Sequence, residues 1–140
     1  MWTHEAKNLA HDLFQKHGLR NWRFSLVRIQ PPAIAIACWD RQIHLSVGHA
    51  RIFSEEVLKP ILLHEVAHAL VGIDHAHDDV WRIKAYDIGG IDQPSVTLPQ
   101  KAEDQAYLLN KSKYRLTKKV WWEDDGKVVR GRRLRARLVP

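Results

Sequence analysis

Two histidines and a glutamate fall within five residues, His64-Glu65-Val66-Ala67-His68, and in this 140-residue chain they are the residues whose types and spacing could do chemistry. Residues four apart on an α-helix differ by about 40° in azimuth, so His64 and His68 project from one face and can both offer an imidazole nitrogen to a single ion. Glu65 is rotated by about 100° from His64. It can therefore reach a water on that ion without being a ligand. Such a set suits metal-assisted hydrolysis. Two neutral imidazoles hold Zn²⁺, the ion lowers the pKa of its water, and the carboxylate takes the proton as hydroxide attacks a polarised carbonyl.

Catalytic zinc takes three protein ligands and leaves a fourth position open, so the motif demands one more donor. Asp74, His75, His77, Asp78 and Asp79 follow Gly72, which lets the chain turn back toward the helix. A histidine at the start of the next helix is well placed to complete the set. His75 is the rival to His77, but it lies one residue beyond the HExxHxxGxxH spacing, and Met1 is the only methionine, leaving none for the later turn that such sites carry. Asp74 or Asp78 could orient a ligand's other ring nitrogen, although Asp78 is better placed to cap the following helix.

The run His64-Glu65-Val66-Ala67-His68-Ala69-Leu70, then Gly72, His75, His77-Asp78-Asp79-Val80-Trp81 and Gly89-Gly90, resembles the SprT-like zinc metallopeptidases. The pattern of that family is HExxH, a short loop, and a histidine four residues before an aromatic, which are His77 and Trp81 here. Upstream, Asn21-Trp22-Arg23-Phe24, Cys38 and Ile43-His44-Leu45-Ser46 are similar to the sheet that precedes the zinc helix. The resemblance covers about residues 5 to 90 and is strongest over 62 to 90. It implies a zinc metalloendopeptidase acting on protein or peptide, with His64, His68 and His77 on Zn²⁺ and Glu65 as the catalytic base. Members often carry a four-cysteine zinc ribbon after the core, and the eukaryotic Spartan proteases degrade proteins crosslinked to DNA. The single cysteine, Cys38, leaves no such ribbon in this tail.

The elements that must position these residues read as an α+β domain. Ala6, Leu9, Ala10, Leu13 and Phe14 recur at helical spacing after Thr3, and Gly18 closes that helix. Trp22 to Val27, Ala33 to Trp39 and Gln42 to Val47 read as three short strands, expected to form a small antiparallel sheet. Pro60 predicts a break, with the zinc helix running from about Pro60 to Val71. A further helix is expected over Asp78 to Ile88, a loop over Gln93 to Pro99 and a short helix over Pro99 to Asn110. Tyr114 to Trp122 and Lys127 to Leu134 read as a basic C-terminal hairpin joined through Asp125-Gly126. This divides the chain into a peptidase core, 1–110, and a tail, 111–140, standing where the ribbon would be and readable as a ribbon that has lost its cysteines.

Charge follows that division. Residues 111–140 hold 11 Lys or Arg against three acids, a balance of +8, whereas residues 1–110 carry −2. Such a block suits phosphate-rich partners, DNA among them, or a solvated end. Trp121 and Trp122 among Lys118, Lys119 and Arg130 could stack on unpaired bases. The alternative to an enzyme is thus a nucleic-acid-binding module with a structural zinc site. No stretch approaches the roughly 20 apolar residues needed to span a bilayer. A cytoplasmic protein is expected, with no membrane partner and a monomer favoured. His4, His11, His17, His44 and His49 lack ligand spacing, and Cys38 reads as a small core residue.

Overall fold

The computed structural model describes residues 1–29, 32–111, 119–120 and 131–139. The chain opens on helix α1 (Thr3–Lys16), whose Ala6, Ala10, Leu13 and Phe14 are buried. Strands β1 (Arg23–Ile29), β2 (Ala33–Cys38) and β3 (Gln42–Ser46) follow. Helix α2 (Val47–Ile52), helix α3 (Glu55–Val71), a single 3₁₀ turn (Ile73–His75) and helix α4 (Asp79–Ile88) come next. Strand β4 (Ser95–Pro99), helix α5 (Gln100–Lys111), the two-residue strand β5 (Lys119–Val120) and strand β6 (Gly131–Val139) complete it.

The α+β class stands, but the sheet is not the small antiparallel one expected. Five strands form a mixed sheet in the order β4-β6-β2-β3-β1, and β5 extends the row beside β1. β1 pairs with β3 in parallel, β2 with β3 and with β6 antiparallel, and β4 with β6 in parallel. The physical reason lies in β2. All six of its residues are buried, which suits an interior strand flanked on both edges rather than one arm of a meander. Its residues divide by face: Ala35 and Ala37 lie in the clusters that include α3 side chains, while Ile36 and Cys38 pack with Val27 and Ile29. Small alanines on the helix side let α3 approach the sheet closely.

The expected C-terminal hairpin is likewise corrected. Gly131–Val139 is one strand inserted between β2 and β4, with Leu134 and Ala136 buried in the main core. Alternation explains why a basic segment can do this: Arg135 and Arg137 are exposed on one face while Leu134 and Ala136 are covered on the other. The Asp125-Gly126 turn, Trp121, Trp122 and most of the expected first arm lie outside the described residues.

Three smaller expectations change. α3 runs unbroken from Glu55 through Pro60, and the carbonyl that the proline leaves without a donor belongs to exposed Glu56, where water can satisfy it. Residues 95–99 form a strand, with the proline at its end, at the sheet edge where a proline is tolerated. Val47–Ile52 is helical, capped by Ser46 Oγ accepting from the His49 N–H. His49 is buried: its Nδ1 lies 2.7 Å from Ser46 Oγ and its Nε2 2.7 Å from Glu103 Oε2. Asn110 Nδ2 donates to the same Ser46 oxygen at 2.9 Å. This buried network fastens α5 to α2. Among the described residues no helix is long and apolar enough to cross a membrane.

Leu134→Ala tests whether the C-terminal strand belongs to the core. It should lower unfolding stability by about 2–4 kcal/mol in a urea titration, whereas a substitution in a solvated tail would change it by less than about 0.5 kcal/mol.

Candidate metal centre

α3 carries three of the candidate site residues, and it is buried along most of its length. Every residue from Ile61 to His68 is buried, and His64, Glu65 and His68 are each 0% exposed. A helix packed on several sides can hold polar side chains only where partners meet them. Those partners come from four directions.

The turn after α3 delivers the third histidine. Gly72, at φ 108°, ends α3, and the 3₁₀ turn leads to Asp78, whose Oδ1 accepts from the Trp81 N–H at 3.0 Å and starts α4. This path brings His77 Nε2 to 3.2 Å from His68 Nε2 and 3.4 Å from His64 Nε2. The three imidazoles are close enough to hold one metal ion. His75 points elsewhere: its Nδ1 lies 2.9 Å from Asp78 Oδ2 on an exposed surface. Asp78 therefore caps α4 and engages His75, and it orients none of the trio.

Trp81 forms the floor of the cluster. Its indole, 0% exposed, stacks on His68 at a centroid distance of 4.9 Å and meets His64 and His77 edge-on at 4.6 and 4.7 Å. The indole N–H donates to the His64 carbonyl at 3.3 Å, which ties α4 to α3. The sequence pattern marks this aromatic; its contact with all three rings is a tertiary fact.

The loop after α4 sets the tautomer of His64. Its Nδ1 lies 2.9 Å from the Ile91 carbonyl, so Nδ1 carries the hydrogen and Nε2 keeps a lone pair facing the other two histidines. Gly89 turns the chain at φ 85°, and Gly90 passes so near α3 that a Cβ there would stand 2.8 Å from the His64 nitrogen and the Leu63 carbonyl carbon. The Ile91 N–H then donates to Pro60 O at 3.1 Å. Sequence alone shows Gly89-Gly90 only as a helix stop, without its second use as the point of closest approach.

The sheet closes the remaining side. A Glu65 carboxylate oxygen lies 3.7 Å from His64 Nε2. Burial pushes the Glu65 carboxyl well above the usual carboxylate range, and the N–H groups of Ala37 on β2 and Leu134 on β6 act in the opposite sense without reaching full hydrogen-bond geometry. Burial also keeps the imidazoles neutral: His64 is pushed down to about 3, against the pull of the Ile91 carbonyl. His68 is pushed down to about 2, by burial first and then by the neighbouring histidines and Arg132. His77 is lowered by burial and by Arg132. Neutral imidazoles are what metal binding requires. Arg132 was legible only as one charge in a basic run.

No family model matches the chain, and neither a curated protein nor a solved structure matches it at a significant level.

Two outcomes should follow from this geometry. Gly90→Ala should weaken metal binding by about 10–100-fold in a competition titration, because the Ile91 carbonyl can no longer sit against His64. In the metal-free protein, stability should fall on acidification below about pH 6.5, where the unfolded chain binds protons that buried His64 and His68 refuse, by about 1.4 kcal/mol per pH unit for each histidine. Glu65 opposes this, since its raised pKa lets the folded state keep a proton that the unfolded state loses as pH rises. The acid sensitivity measured by denaturant unfolding between about pH 6 and 5 should therefore be steeper in Glu65→Gln than in the parent.

Proposed function

We propose that the protein is a zinc-dependent metalloendopeptidase of the SprT-like kind, with His64, His68 and His77 as metal ligands and Glu65 as general base. The observation that carries this is the convergence of three neutral imidazole nitrogens, spaced 3.2 and 3.4 Å along His68–His77–His64, beside a buried carboxylate. Zn–N bonds of about 2.0–2.1 Å in tetrahedral arrangement place their nitrogens about 3.3–3.4 Å apart, which matches the two separations from His77, and all three nitrogens lie within 4.8 Å of one another. When bound, zinc supplies Lewis acidity and lowers the pKa of a water to near neutrality.

The chain's own residues would do the rest. Ile91 holds His64 in the tautomer that leaves Nε2 free, and Trp81 keeps the three rings in register. Glu65 takes the proton of the attacking water and returns it to the departing amine nitrogen. Its surroundings suit both proton transfers, since the Ala37 and Leu134 N–H groups favour the carboxylate and burial favours the acid. The engagement of His75 with Asp78 supports a three-ligand site over a closed structural one. The exposed Arg135 and Arg137, within a segment of net charge +8, favour substrates associated with DNA.

Glu65→Gln should retain stoichiometric zinc while cutting digestion of a casein-type substrate by at least about 10²-fold, assayed with and without single-stranded DNA. Unchanged turnover in that variant would rule out the mechanism.

A further inference from the structure

We propose that Arg132 is a further catalytic residue, the group that stabilises the oxyanion formed when water adds to the scissile carbonyl, and that the C-terminal strand is in the sheet to deliver it. This rests on the metallopeptidase reading given above.

The placement comes from strand geometry. β6 runs antiparallel to β2 with Arg132 opposite Ala37 and Leu134 opposite Ala35. Side chains two apart on a strand share a face, so Arg132 stands on the same side as Leu134, whose side chain is 0% exposed in the core beneath the helices. Its cross-strand neighbour Ala37 packs in one cluster with Val66, the α3 residue after Glu65. The backbone N–H groups of Ala37 and Leu134 are the same two that approach the Glu65 carboxylate. Arg132 is thereby directed at the C-terminal half of α3, where His68 lies.

One donor of the side chain is left over. Arg132 is half-buried, and its Nε is buried with no hydrogen-bond partner among the described residues, as is Arg28 Nε on β1. A buried guanidinium nitrogen without an acceptor is costly, and it leaves a donor free to meet an anion. A cation on the strand that faces the histidine cluster disfavours a second cation there and favours an anion that joins both. Glu65 approaches the cluster at His64, 3.7 Å from Nε2, and Arg132 shares with Ala37 the sheet face on which α3 packs. A carbonyl bound at the histidines would have a base and a donor within the same group of elements.

The step balances within these groups. The water oxygen bonds to the carbonyl carbon, its proton passes to Glu65, and the carbonyl π pair moves to oxygen, where the guanidinium N–H groups meet the new charge. Collapse restores the carbonyl, breaks the C–N bond and sends the proton from Glu65 to the amine nitrogen.

Anion binding to the cobalt(II)-loaded full chain tests this, with inorganic phosphate as the probe and the visible absorption bands of the metal as the signal. Arg132→Met should weaken phosphate binding by roughly tenfold or more while leaving cobalt affinity unchanged or tighter, and Arg132→Lys should recover part of the loss. On a peptide substrate, Arg132→Met should lower kcat by about 10²-fold with KM changed less than about threefold. Phosphate affinity equal to the parent's in a folded, cobalt-loaded Arg132→Met protein would overturn the proposal, as would a loss carried by KM alone. If the parent binds cobalt and phosphate but cleaves no peptide, the hydrolase reading fails, while an Arg132-dependent phosphate affinity still supports an oxyanion-holding role.

Discussion

Placing two histidines and a carboxylate on a helix that is buried from Ile61 to His68 is the constraint on which the remaining structure depends. Buried polar groups call for partners or an ion, and each neighbouring element brings a group toward them. The turn after α3 contributes His77, α4 contributes Trp81, the loop beyond it contributes the Ile91 carbonyl, and the two strands β2 and β6 contribute the N–H groups near Glu65. Helix, loop and sheet are therefore set around the same few atoms.

What is left unpartnered is as informative as what is met. Among the described residues both Glu65 oxygens, His68 Nδ1 and Arg132 Nε are buried without a hydrogen bond at the cluster or its border, and Arg28 Nε and Glu103 Oε1 are buried without one elsewhere. An arrangement optimised for stability alone would satisfy or remove such groups. Four of them, the two Glu65 oxygens, His68 Nδ1 and Arg132 Nε, lie at or beside the three histidines that could hold a metal ion. In the Ser46, His49, Glu103 and Asn110 network the polar groups are joined to one another and fasten two helices, with only Glu103 Oε1 left over.

The C-terminal strand changes the meaning of the basic segment. Arginines of β6 have different surroundings: Arg135 and Arg137 are exposed, whereas Arg132 lies on the covered face with Leu134 and Ala136. One run of charge is therefore divided between two environments. In sequence these arginines look alike, and only the register against β2 separates them.

The sequence by itself determined that His64 and His68 share one face of α3 with Glu65 beside them, because the four-residue spacing works through helical periodicity, which is local. It also determined α4 and its cap, since Asp78 and Gly89 act within a turn of their own positions. Only the tertiary structure decided between His77 and His75 as the third member of the cluster, because that choice depends on where a turn ends relative to a helix already passed. The same holds for the order and direction of the strands and for the continuity of α3 through Pro60. It holds too for Ile91 and Arg132, which stand far along the chain from His64 and His68 and come to them only when a loop closes over α3 and a strand enters the sheet beneath it.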